Sequence, residues 1–183
     1  MRRILLVALV AAACQHTKKE PTESRIDVRL SPDYEKVRPV TIALLPLKAP
    51  RVDIQTNVRQ EVYRLLPERR YSPFKLSEVD SHIGADGKFA ADDLDWDATL
   101  EIVFDEYAPS SGNYWITTGR AVMMHRTGEE LWACHFEDYK ILVPSRTGTA
   151  EHGEAAREMA YFLVGGESGE SRLPDCPPPP PGP

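Results

Sequence analysis

Cysteine is scarce in this chain, at three in 183 residues, too few for the dense disulfide framework of a small secreted scaffold. An excess of positive charge is missing as well: Lys and Arg number 22 against 28 Asp and Glu, for a formal net charge of −6. With no basic stripe to neutralise phosphates, nucleic acid is not expected as a partner. Nowhere does an apolar run approach the roughly 20 residues of a transmembrane helix. No glycine-rich phosphate loop follows the apolar stretch from Val40 to Leu47, because Lys48-Ala49-Pro50 stands there instead. Ser110-Ser111-Gly112 has neither a G-x-S-x-G frame nor an evident base. No internal repeat is visible. These absences remove the usual enzyme signatures, and neither catalysis nor a cofactor is expected.

What is present begins at the first residues. Arg2 and Arg3 supply positive charge, Ile4 to Val10 an apolar run, and Ala11-Ala12-Ala13 small residues before Cys14. This is the order of a secretory signal peptide, and a cysteine directly after small residues is how a bacterial lipoprotein signal ends. Residues 1–13 are therefore expected to be removed, and Cys14 to carry lipid, with palmitate among the acyl groups. Two or more acyl chains anchor a protein stably, at about 0.8 kcal/mol per buried methylene. Ala11 departs from the lipoprotein pattern, where leucine is usual. An ordinary secretory signal cut near Ala13, or an uncleaved anchor, are the alternatives. Ile4-Leu5-Leu6 does not continue a twin-arginine motif. Residues 14–24 are polar after the cysteine and read as a flexible tether.

From residue 25 to 166 the patterning is that of one domain. Ile26, Val28 and Leu30 alternate with Asp27 and Arg29, as in a short half-buried strand or an extended arm. Val40 to Leu47 is apolar on both faces and suits a central strand. Ile54, Val58, Val62 and Leu65 fall at helical spacing over 53–66, a helix ended by Pro67. A short strand over 71–76 and a brief helix capped by Ser77 follow. Another helical turn is predicted over 90–96, laying Leu94 and Trp96 on the core. Three long strands come next, over 98–107, 114–125 and 131–142, the last two joined through Arg126-Thr127-Gly128-Glu129 as a hairpin. Residues 150–164 form a helix that stops at Gly165-Gly166. The predicted fold is α/β (α+β), a single two-layer domain. Its mixed sheet has a β-α-β start and a long antiparallel hairpin, with helices packed on it. Residues 167–183 end in the run Pro177 to Pro181 and read as a disordered spacer, or as a polyproline II rod for a partner's aromatic groove.

Four groups of residues invite a chemical reading. Asp93, Asp95 and Asp97 alternate like the start of a calcium loop, but Ala98 stands where glycine is needed and Phe104 where glutamate is needed. A solvated acidic segment is the alternative. His125 and His135, with Glu137 near, sit on facing strands as a conceivable metal pair or as ordinary surface histidines. No metal site is expected. Cys134 and His135 point to opposite faces of one strand and cannot form a dyad. Cys134 and Cys176 are either a disulfide or two free thiols, and the loose surroundings of Cys176 argue for thiols. The aromatic cluster Tyr107, Tyr114 and Trp115 around one turn is the favoured partner-binding surface. The alternative is that Tyr107 and Trp115 close off the core.

Val40-Thr41-Ile42-Ala43-Leu44-Leu45-Pro46 resembles the opening strand of the CsgG, LpoB and TolB amino-terminal type of domain. Asp97-Ala98-Thr99-Leu100-Glu101-Ile102 with Glu106-Tyr107 resembles a strand of the neisserial-antigen type of lipoproteins. Arg120-Ala121-Val122 followed by Gly128-Glu129-Glu130-Leu131-Trp132 resembles their hairpin. The likeness spans residues 38–143 and implies an envelope lipoprotein that assembles with other proteins and has no known active site. Resemblance to Gram-negative lipoproteins makes Gln15 and His16, with no aspartate after Cys14, a pointer to the outer membrane, facing the periplasm. The expected function is a lipid-anchored accessory or assembly factor that binds other envelope proteins or itself. A peptidoglycan or small-ligand binding module, using the acidic stretch from Asp86 to Asp97, is the alternative.

Overall fold

The computed structural model describes residues 23–110, 114–142, 149–165 and 172–179, with backbone alone over 149–152. Cys14, the signal stretch and most of the tether lie outside the described residues. The chain enters through β1 (Arg25–Leu30) and a short helix α1 (Tyr34–Val37). It continues through β2 (Thr41–Leu44) and helix α2 (Val52–Leu65), which runs into a 3-10 turn. Next come β3 (Ser72–Pro73) and helix α3 (Leu76–Ser81). The long strands β4 (Ala98–Pro109), β5 (Tyr114–His125) and β6 (Glu130–Leu142) precede helix α4 (Thr149–Val164). The six strands form one mixed sheet in the order β1-β6-β5-β4-β2-β3. β2 is parallel to β3 and β4, and the other pairings are antiparallel. Four helices pack on this sheet, giving the single α+β domain that the patterning predicts.

Helix α2 buries Ile54, Val58, Val62 and Leu65, a stripe at steps of three and four residues. Asp53 stands in its first turn and Arg64 in its last, each complementing the helix dipole. α2 packs against α4, where Ala155, Ala156 and Ala160 keep the approach close and Met159 and Leu163 fill the core. Gly165, at φ +99°, returns its N–H to the Tyr161 carbonyl at 2.7 Å, closing α4 with the left-handed cap expected there.

In β4 the buried residues Ala98, Leu100, Ile102 and Phe104 alternate with half-buried ones. Tyr107 is also buried, although it lies an odd number of steps from Phe104. A bulge between Phe104 and Glu106 makes this possible by resetting which side chains face inward. Opposite the bulge sits Gly119, where a Cβ would lie 2.2 Å from the Val103 carbonyl oxygen. The long hairpin turns where Gly128 adopts φ +89° and donates to His125 O at 2.8 Å.

Three local expectations change. No helix forms over 90–96. The Ala91 carbonyl accepts the Trp96 indole N–H at 3.1 Å, and Trp96 packs edge-on against Phe89 at 5.2 Å, so the segment is held as a loop. Leu94 and Trp96 accordingly stay half-buried outside the main core. Helix α3 starts at Leu76 with Lys75 at its N-cap, so Ser77 lies within the first turn instead of capping it. The C-terminal segment is not a solvated spacer over residues 172–179. Leu173 and Cys176 are 1% and 2% exposed. Leu173 N–H donates to Leu163 O, and Cys176 N–H to Arg69 O. Asp175 pairs with Arg69 at 2.9 Å and Arg70 at 3.1 Å. Donors and acceptors elsewhere in the chain fix this strap, which is why a proline-rich composition did not announce it. Residues 180–183 lie outside the described residues.

Candidate binding surfaces

The aromatic cluster divides. Tyr107 and Trp115 are 4% and 5% exposed. Tyr107 packs on Phe104 and Trp115 with ring centroids 5.3 and 5.2 Å away, and burial pushes its hydroxyl well above the ordinary tyrosine range. Both residues close the core: the bulge in β4 turns Tyr107 inward, and plain alternation along β5 does the same for Trp115. Tyr114, on the opposite face of β5, is 44% exposed. The three do not form one exposed surface, and of them only Tyr114 is open to solvent.

The two histidines do not meet. His125 ends β5, and its Nδ1 lies 2.7 Å from Thr127 Oγ1. His135 pairs in register with Arg120, five strand positions away, or roughly 17 Å at 3.4 Å per residue. Arg29 donates to His135 Nε2 at 2.8 Å, and since a guanidinium only donates, that nitrogen is the acceptor. Among the described residues no group of His, Cys, Asp and Glu converges as a metal site. The three aspartates also diverge. Asp97 Oδ2 accepts the Val40 and Thr41 N–H groups at 2.8 Å and the Thr41 hydroxyl at 2.9 Å, which ties the start of β4 to the start of β2. Asp93 faces His82 at 3.2 Å, and Asp95 lies 3.9 Å from Arg126. The His82 pKa is raised, chiefly by its bond to the Glu78 carbonyl and also by Asp93.

Cys134 and Cys176 are both free and buried. Burial pushes the Cys134 thiol up to about 12 and raises that of Cys176 too, so neither is an activated nucleophile. Ser110 donates its backbone N–H to Tyr114 O across the turn, at 2.8 Å. Ser111 and Gly112 lie outside the described residues.

The strap borders a cleft of about 720 Å³, lined by Leu30, Tyr34, Arg38, Arg70, Asp175 and Pro177 among others. Beneath it the Tyr34 and Tyr71 hydroxyls bond to each other, and Tyr71 donates to Pro174 O at 2.8 Å. Burial pushes the Tyr34 hydroxyl up to about 12 and moves Tyr71 further in the same direction. This pair has the character of a structural latch under the strap.

Strand β1 was expected as a half-buried strand or arm, and it is an edge strand paired with β6. Ile26 packs on the core, whereas Val28 and Leu30 are 42% and 51% exposed. Ser31 N–H donates to Leu131 O at 2.9 Å in the same register, which turns the backbone groups of the odd residues toward β6. Those of Ile26, Val28 and Leu30 therefore point outward, and no strand among the described residues pairs with them.

No protein-family model matches the chain, and no curated protein matches it. Among solved structures it is similar to the PelC dodecamer from Paraburkholderia phytofirmans, at 9% identity over 78% of this chain and 99% of that one, with a TM-score of 0.48. It is also similar to lipoprotein GNA1162 from Neisseria meningitidis, at 19% identity over 63% of this chain and 91% of that one, with a TM-score of 0.47. Scores of this size describe a partly shared chain path and carry no argument about activity or partners.

Proposed function

We propose that this chain is a lipid-anchored accessory or assembly protein of the bacterial cell envelope, non-catalytic, which binds other envelope proteins or itself. The observation that carries the reading is the stretch from Met1 to Cys14, charged, then apolar, then small, ending on cysteine. The polar residues 15–24 supply a spacer between lipid and domain. An outer-membrane site facing the periplasm follows from Gln15 and His16 in the positions after the lipid-bearing residue. The outer edge of β1, with which no strand among the described residues pairs, supports the binding role, because an unpaired edge recruits strands.

A crosslinking pull-down from membranes, comparing wild type with Cys14→Ser, tests this reading. The expected result is that the wild type brings down defined envelope proteins or itself, and that Cys14→Ser does not. Loss of that difference would remove the adaptor reading. Wall binding through the acidic segment around Asp93 is the second reading. Phe89 and Trp96 pack edge-on in this segment, where Asp92, Asp93 and Asp95 are exposed. Sedimentation with purified cell wall separates the two, since an adaptor stays in the supernatant.

A further inference from the structure

We propose that two copies of this chain join edge to edge through β1, as an antiparallel pair centred on Val28. The inference deepens the proposed role and rests on it for the idea that binding includes self-association. The two edges of the sheet differ. β3 is two residues long and contains Pro73, features that blunt an edge. β1 has six residues and no proline, and it leaves apolar side chains at Val28 and Leu30 exposed.

A two-fold axis through Val28, normal to the sheet, sets Val28 against Val28, Ile26 against Leu30 and Asp27 against Arg29 of the second copy. The pairs formed by residues 26, 28 and 30 are those whose N–H and C=O already point outward, so the ladder closes without an orphaned group. On the helix side of the sheet, Leu30 and Val28 cover one another and Ile26. On the other side, each Asp27 meets an Arg29, and the pair occurs twice by symmetry. Other registers are worse. An odd shift would place side chains on opposite faces. Centring on Asp27 sets Asp27 against Asp27 and Arg25 against Arg29, and centring on Arg29 sets Arg29 against itself; like charges directly opposite destabilise. Centring on Ile26 keeps Arg25 against Asp27 but leaves Leu30 uncovered. The sequence Ile26-Asp27-Val28-Arg29-Leu30 is thus self-complementary in one register.

A six-residue ladder is a small interface, and confinement at a membrane raises the effective concentration of the two copies. The ten residues between Cys14 and Arg25 reach at most about 35 Å when extended, enough for both lipids to enter one bilayer from a pair of this kind.

Full-length protein in which Cys134 and Cys176 are replaced by alanine, taken as the wild-type reference, receives one cysteine at a time in β1, because Cys134 lies opposite residue 28 within the chain and would capture a thiol placed there. Oxidative crosslinking in membranes and after purification then tests the register. Val28 of the two copies would lie about 5.5 Å apart at Cα, within disulfide reach, whereas Asp27 and its own copy lie about 7–8 Å apart on the diagonal. Val28→Cys is expected to give a covalent dimer at least tenfold above wild type. Asp27→Cys and Arg29→Cys alone should stay near the wild-type level, and co-expressed they should crosslink to each other. Asp27→Arg or Arg29→Asp should each weaken dimerisation about tenfold, and the double swap should restore it. Val28→Cys at the wild-type level, Asp27→Cys crosslinking as well as Val28→Cys, or Val28→Cys joined to a different polypeptide would each overturn the proposal. Membrane fractionation of the same samples keeps the readings apart. Protein in the membrane fraction without the Val28 crosslink refutes this surface alone, whereas protein absent from it refutes the anchor, and the purified sample then decides the register.

Discussion

Tyr114 and Trp115 are neighbours in sequence and opposite in consequence, because consecutive residues of a strand face opposite sides of the sheet. Trp115→Ala should cost about 3–5 kcal/mol, the range for emptying a buried large aromatic site. Tyr114→Ala should change stability by no more than about 0.5 kcal/mol. Urea denaturation followed by circular dichroism distinguishes these outcomes. A double replacement at these positions therefore reports on folding before it reports on partner capture. The buried hydroxyls and thiols set a pH dependence at the same scale. Tyr34 and Cys134 hold their protons up to about 12 in the folded chain, against ordinary values of 10.0 and 9.0. The unfolded chain ionises first, so their contribution is complete below about pH 9 and is lost as pH rises toward about 12. The urea midpoint should fall across that window, and less steeply in Cys134→Ala. A midpoint that is flat over the window would contradict the burial argument.

Among the elements, β4, β5 and helices α2 and α4 were legible because each carries its own period, two for the strands and steps of three and four for the helices, while β6, buried on both faces over 131–134, was legible from the Thr-Gly turn that joins it to β5. The strap over 172–179 was not, since its anchors Arg69, Arg70, Trp132 and Leu163 are remote in sequence. The role of Asp97 was hidden for the same reason. Its acidic neighbours suggested a cation, whereas its actual partners are backbone N–H groups more than fifty residues earlier. The bulge in β4 could have been suspected from Phe104 and Tyr107, two aromatics out of step in one strand. Two predictions belong to this scale. Leu173→Ala, at a site 1% exposed, should cost about 2–5 kcal/mol if the strap is part of the fold. A change within about 0.5 kcal/mol would mean that the strap detaches freely. Gly119→Ala should destabilise by at least about 1–3 kcal/mol, because the added methyl meets the backbone of the neighbouring strand and not a flexible side chain.

For the whole molecule, an acidic α+β domain follows a signal-type stretch and a polar spacer; among the described residues no strand pairs with the outer side of β1, and the opposite edge is the two-residue β3 with Pro73. Among the described residues its ionisable groups serve structure: Asp97 clamps two strands, Asp175 holds the strap, and Arg59 bonds the Leu44 carbonyl and Asp80. The location proposed for the domain depends on Cys14. The most direct measurement is membrane fractionation with metabolic acyl labelling of the full chain, wild type beside Cys14→Ser. The account predicts labelled wild type that stays with membranes through a high-salt wash, and unlabelled Cys14→Ser in the soluble fraction. Equal fractionation of the two, with no label on either, would contradict it.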